Sequence, residues 1–204
     1  MKDEGYIKFN FEAIEEVVLS HSEVEDLIDL RTKLYDIGLI GFSDGVSFGN
    51  VSKRANGDEF VISSSNTGDK RILSPEQFAL VTFVDLDRNM VKFKGKNPPS
   101  SETLTHYSVY KAFPEANYVV HFHNHNIWEY YLDKLPTTPK SAGYGTTELA
   151  KSILELRANF HATEKISAII LGGHYDGVVT FGRSVDEVLD NINKLYRKEF
   201  LIQD

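Results

Sequence analysis

The heptapeptide "VVHFHNH", residues 119–125, decides how the rest of the chain is read. If residues 119–123 form a strand, His121 and His123 project from one face, roughly 6–7 Å apart along the chain. Two imidazoles at that spacing can lean onto one metal ion at about 2.0–2.1 Å each. On a straight strand His125 falls roughly 13 Å from His121. It is therefore expected outside the ligand set, either hydrogen-bonding a ligand or facing solvent. A further ligand has to come from elsewhere. His174, in "AIILGGHYDG", follows a buried apolar run and a Gly-Gly pair, where a loop side chain can turn back across a sheet. A His-x-His pair alone would look the same on a solvated strand. A cupin also carries such a pair, but here Glu129 lies too far beyond His123 and no glycine leads into the motif. His21, His106 and His161 stand in or beside helical patterns, where packing or surface roles are expected.

Outward from this strand, helical and strand patterns alternate. "SHSEVEDLIDLRTKLYDIGLIG" suggests a capping box from Ser22 to Glu25, with Leu27, Leu30, Leu34 and Ile37 at helical spacing until Gly38. "DGVSFGNVSKR" and "DEFVISSS" read as strands broken by Gly and Asn turns. Ser74, Pro75 and Gln77 announce a short helix, and "LVTFVDLDRNMVKFKG" two strands around an Asp-Arg-Asn turn. "SSETLTHYSVYKAF" is helical, as are "GTTELAKSILELRANF" and "SVDEVLDNINKLYRKEF", the last with a Ser184–Glu187 box. "KISAIILGG" and "GVVTFG" are strands between them. Such alternation predicts an α/β sandwich around a mixed or antiparallel sheet.

The 204 residues are 41% hydrophobic and 25% charged, enough for one well-buried core, and no linker-like stretch divides them. A net charge of −8 argues against nucleic acid or an anionic membrane as the main partner. No apolar run is long enough to span a bilayer, and "MKDEGYIKFNF" lacks the basic and apolar regions of a signal peptide. A cytoplasmic domain is the expectation. The absence of cysteine excludes thiolate chemistry and leaves any zinc to nitrogen and oxygen ligands.

Three further stretches carry the chemistry of an anion cradle. "GNVS" offers Gly49 and the amide of Asn50, "SSSNTGD" offers Thr67 and Gly68, and "PPSSE" places Ser100 and Ser101 at a helix start. Each alone is a common turn, and an N-cap explains Ser100 without a ligand. Glu102 follows the serine pair directly, and a carboxylate beside both an anion site and a metal is suited to be a general base.

Taken in order, "GNVS", "NTG", "PSSE", an aromatic-rich helix, a strand ending in His-x-His, "GTTELA" and a later strand ending in His resemble the class II aldolase/adducin family over about residues 22–200. The resemblance implies a single domain at 22–204 after an N-terminal extension at 1–21. Its fold would be a three-layer α/β sandwich with a central, mostly antiparallel sheet flanked by helices. It implies one Zn²⁺ held by His121, His123 and His174, with manganese, cobalt or iron as alternatives in the same site, and a substrate phosphate bound by Gly49, Asn50, Thr67, Gly68, Ser100 and Ser101. Glu102 would be the catalytic base. The implied activity is cleavage of a small ketose phosphate to dihydroxyacetone phosphate and an aldehyde, in a cytoplasmic homotetramer. A methylthioribulose-1-phosphate-type dehydratase, a pentose-phosphate 4-epimerase and a non-catalytic adducin-like module are the alternatives. Two stretches depart from the family pattern. "GGHYDG" stands where "NHG" or "HHG" is usual, and the segment after His123 is shorter, leaving Tyr130, Tyr131 or Tyr144 as candidates for an acid at the aldehyde end.

Overall fold

The computed structural model describes residues 5–157 and 166–200. His161 and the last residues of the helix expected to end at 160 lie outside them. The main sheet has eight strands: β1 (Asn10–Glu15), β4 (Asn50–Arg54), β5 (Phe60–Ser63), β6 (Phe78–Asp85), β7 (Met90–Lys94), β8 (Tyr118–His123), β9 (Ala168–Ile170) and β10 (Gly177–Gly182). Their spatial order is β1-β7-β6-β5-β4-β8-β10-β9. Every pairing is antiparallel except β1 with β7. A hairpin of β2 (Gly41–Ser43) and β3 (Val46–Phe48) stands apart from this sheet.

Helices cover both faces, as expected. On one face α1 (His21–Asp36), α3 (His125–Tyr131) and α5 (Val185–Phe200) pack on Val51, Val120, Phe122 and Val178. On the other, α2 (Thr103–Ala112) and α4 (Thr147–Leu156) pack on Ile62, Val119, Ile169 and Val179. The alternation along β8 sorts its side chains. Val120 and Phe122 enter the first core, while Val119, His121 and His123 share the α2/α4 face.

Two local readings need correction. The N-cap of α1 is Ser20, whose N–H donates to Glu23 Oε2 at 2.8 Å, two residues ahead of the expected Ser22–Glu25 box. Buried Leu19 before the cap and Val24 within the first turn belong to one core cluster, and this staple sets where the chain enters the helix. Ile37 leaves the apolar stripe, caps the helix and is exposed, while Gly38 at φ 74° turns the chain away. The short helix expected at Ser74 does form, with the Ser74 N–H donating to Gln77 at 2.9 Å, as the single 3₁₀ turn Pro75–Gln77. The following "FALVTFVD" alternates as a strand and takes over as β6.

Candidate metal and anion site

His121 and His123 reach the site from the end of the interior strand β8, and His174 from the loop joining β9 to β10. That loop is shaped by glycines. A Cβ on Gly172 or Gly173 would come within 2.2 Å of the carbonyl oxygen of Thr138 or Ala142 respectively, so the backbone lies flush against residues 138–142. Asp176 adopts φ 64°, a left-handed conformation that aspartate tolerates better than most side chains. The His174 N–H donates to Leu171 O at 3.1 Å, and Gly177 N–H donates back to His174 O at 3.0 Å. "HYDG" therefore turns His174 inward without the usual glycine after it.

The three imidazoles converge. Ring centroids of His121 and His123 are 5.0 Å apart, and His174 lies 4.8 Å from each. One ring nitrogen of each lies within 4.8 Å of the others. Nε2 of His121 is buried and makes no hydrogen bond among the described residues, a rare situation for a buried polar atom and one that a ligand would relieve. Burial, reinforced by the neighbouring His174 and His123, pushes His121 well below the usual imidazole value. A neutral ring with an unsatisfied inward nitrogen is what a divalent metal requires, so the three residues fit the implied ion. Glu102, 1% exposed at the N-cap of α2, stands beside them. Its Oε2 accepts from Thr105 Oγ1 at 2.5 Å, and Oε1 is 3.5 Å from His174 Nδ1.

The expected anion residues form a second cleft. Gly49, Asn50, Thr67, Gly68, Ser100 and Ser101 line it together, and Gly49, Asn50 and Ser101 also line the cleft holding the histidines and Glu102. Gly49 sits at φ 76° against Ile40, and Gly68 donates its N–H to Ser47 Oγ at 3.1 Å. A Cβ on Gly68 would fall 2.0 Å from Gly41 O. Gly68→Ala is expected to destabilise the protein by about 1–3 kcal/mol through overpacking. A urea midpoint equal to wild type would show that this backbone approach is not tight.

Sequence reading missed Arg31. It falls on the apolar stripe of α1 between Leu30 and Leu34, is 1% exposed, and donates to Thr67 O at 2.8 Å, to Arg71 O at 2.9 Å and to Lys70 O. Burial lowers its guanidinium to about 10, which leaves it charged. A cation thus sits behind the Thr67–Gly68 turn. The available signal was a charged residue on a leucine stripe, which is more often read as a solvated edge.

Of the three tyrosines considered, only Tyr144 lies at the site, its ring 5.0 Å from that of His174. Its hydroxyl donates to Tyr6 O at 3.1 Å and accepts from Gly5 N–H at 3.2 Å, while Lys8 Nζ donates to Tyr144 O at 2.9 Å. Residues 5–8 are so drawn over the site, and Gly5 lines both clefts. Tyr131 is turned away, donating to Leu195 O at 3.1 Å, and Tyr130 packs under the Lys134 ammonium. His125 begins α3, is half-exposed, and pairs through Nδ1 with Asp176 at 2.8 Å, apart from the three-histidine cluster. His125→Ala should leave metal content within experimental error of wild type; loss of the ion would make it a ligand after all. A neighbouring cleft of about 190 Å³, lined by Phe48, His123, His125 and Asp176 among others, continues from the histidines toward solvent.

A doubly covered, mostly antiparallel sheet that carries three converging histidines, a buried carboxylate and a glycine-serine cleft defines the class. The chain belongs to the class II aldolase and adducin N-terminal domain family, whose model matches residues 25–197. A methylthioribulose-1-phosphate dehydratase from Klebsiella pneumoniae subsp. pneumoniae is 36% identical over 102 residues, 50% of this chain and 47% of that protein. The match thus spans about half the length of this curated relative. Among solved structures, an L-fuculose 1-phosphate aldolase superposes with TM-score 0.68 at 17% identity, covering 90% of this chain and 86% of that one. YgbL from Klebsiella pneumoniae gives TM-score 0.65 at 20% identity, covering 90% of each chain. At these identities the structural likeness speaks for the fold. No described helix is long and apolar enough to cross a membrane.

Proposed function

We propose that this protein is a zinc-dependent lyase acting on a small ketose phosphate, cleaving it to dihydroxyacetone phosphate and an aldehyde. The observation that carries this reading is adjacency: the three-histidine cluster, the buried carboxylate of Glu102 and the anion cleft share walls. Zinc bound by His121, His123 and His174 would act as a Lewis acid on the substrate carbonyl. Gly49, Asn50, Thr67, Gly68, Ser100 and Ser101 bind the phosphate, with the Arg31 charge behind the Thr67 turn favouring the anion. Glu102 takes and returns the proton on the dihydroxyacetone phosphate half, its second oxygen steadied by Thr105. The cleft between Phe48 and Asp176 receives the remainder of the substrate. We further propose a cytoplasmic homotetramer, as the family likeness suggests.

Dehydration is the second reading, favoured by the dehydratase relative. Dehydration begins with a proton abstracted from the carbon beside the carbonyl, and cleavage ends with a proton returned to that carbon, so Glu102 serves either. They differ in the bond that breaks. Zinc-loaded protein given a panel of ketose 1-phosphates should release dihydroxyacetone phosphate, detected by coupled reduction. Loss of water from a ketose phosphate, with no triose phosphate formed, would replace cleavage by dehydration. Turnover of neither kind, in protein that takes up no zinc, would favour the non-catalytic adducin-like role.

A further inference from the structure

His106 stands at the centre of a buried polar chain, and the reading above gives it no task. Its Nε2 is 2.6 Å from Asn50 Oδ1, and its Nδ1 is 2.6 Å from Ser52 Oγ, which is 2.8 Å from the Tyr110 hydroxyl. In the other direction Asn50 Nδ2 lies 3.4 Å from Nδ1 of His121. His106 and Ser52 are wholly inaccessible, and Asn50, Tyr110 and His121 are buried. Burial lowers His106 to about 3, so it is neutral at working pH and carries a single ring N–H.

That single proton makes the chain directional. As arranged, His106 Nε2–H donates to the Asn50 carbonyl oxygen, and His106 Nδ1 accepts from Ser52, which accepts from Tyr110. The Asn50 amide then offers an N–H to Nδ1 of His121, leaving that ring's proton on Nε2. Nε2 is the buried nitrogen without a hydrogen bond that faces the cluster. A metal bound there needs Nε2 free of its proton, hence Nδ1 protonated, and Nδ1–H against the Asn50 N–H would set donor against donor.

Resting on the zinc reading, we infer that metal capture by His121 turns the Asn50 amide by half a turn and shifts the His106 proton from Nε2 to Nδ1. In the second arrangement His121 Nδ1–H donates to Asn50 Oδ1, and the Asn50 amide donates to His106 Nε2. His106 Nδ1–H then donates to Ser52 Oγ, whose hydroxyl donates to the Tyr110 oxygen. Each residue keeps its number of protons, so the chain releases none. His106 is thereby a positioning residue: it never touches the ion, yet it holds the acceptor that fixes the His121 tautomer.

The test is a two-bond ¹H–¹⁵N correlation of the histidine rings in ¹⁵N-labelled full-length protein, metal-free and with one equivalent of zinc. His106 is expected to show Nε2–H without zinc, and its two nitrogens to exchange protonated and unprotonated shifts when zinc is added. Asn50→Asp supplies an acceptor to both rings at once. In that variant His106 should keep Nε2–H with zinc bound. Zinc bound at His121, His123 and His174 with no change at wild-type His106 overturns the inference alone. Zinc that leaves those three rings unshifted overturns the metal reading and the inference with it.

Discussion

His174→Ala is expected to lower zinc affinity by about 100-fold or more. Removing merely an outer hydrogen-bond partner of a metal-bound histidine costs roughly 10–100-fold, and here a whole imidazole is lost. Its ring is 2% exposed and equidistant, at 4.8 Å, from the other two. The two histidines left on β8 offer no closed set of three, and no other described residue joins the cluster. Plasma mass spectrometry of the purified proteins should find about one zinc per chain in wild type, as one three-histidine site holds, and little in the variant. A chelator competition titration gives the ratio of affinities. Equal zinc in both proteins would remove His174 from the ligand set.

Glu102→Gln should separate metal binding from turnover. Glutamine keeps the shape of the side chain and an oxygen to accept from Thr105, so α2 and the cleft should stay in place. The amide cannot take a proton, and loss of a general base typically lowers the rate by about 10²–10⁴-fold. The expected outcome is wild-type zinc content, a melting temperature close to wild type, and kcat reduced over that range. Undiminished kcat would end the assignment of Glu102 as base. Lost zinc would instead make its carboxylate chiefly a metal ligand.

What could be read from the chain beforehand was local in sequence or periodic. The β8 histidines were legible because a two-residue period fixes which side chains share a face, and that needs no tertiary information. His174 was legible through the run of apolar residues and the two glycines before it. The α1 cap was misplaced because Ser20–Glu23 and Ser22–Glu25 are both capping boxes. Only the docking of Leu19 and Val24 against the same core chooses between them. Arg31 was missed, Tyr144 was one of three open candidates, and His106 was read as a packing or surface residue. Their partners lie 36 or more positions away along the chain, as in the contacts of Arg31 with Thr67, His106 with Asn50 and Tyr144 with Tyr6. Such pairings leave no period or spacing for a sequence to display.

The roof formed by residues 5–8 has a consequence for how the protein assembles. Its bonds to Tyr144 close loops of 136 to 139 residues, and the third imidazole is supplied by position 174. Contacts so distant in sequence form late, because the entropy of closing the loop is lost before the contact returns anything. A nascent chain halted before the β9–β10 hairpin holds two of the three histidines and the other residues that line their cleft. Metal therefore cannot seed this fold in the way it organises a zinc finger. The sheet must register first, and an ion held by the three histidines would enter a frame whose spacing the strands have already set.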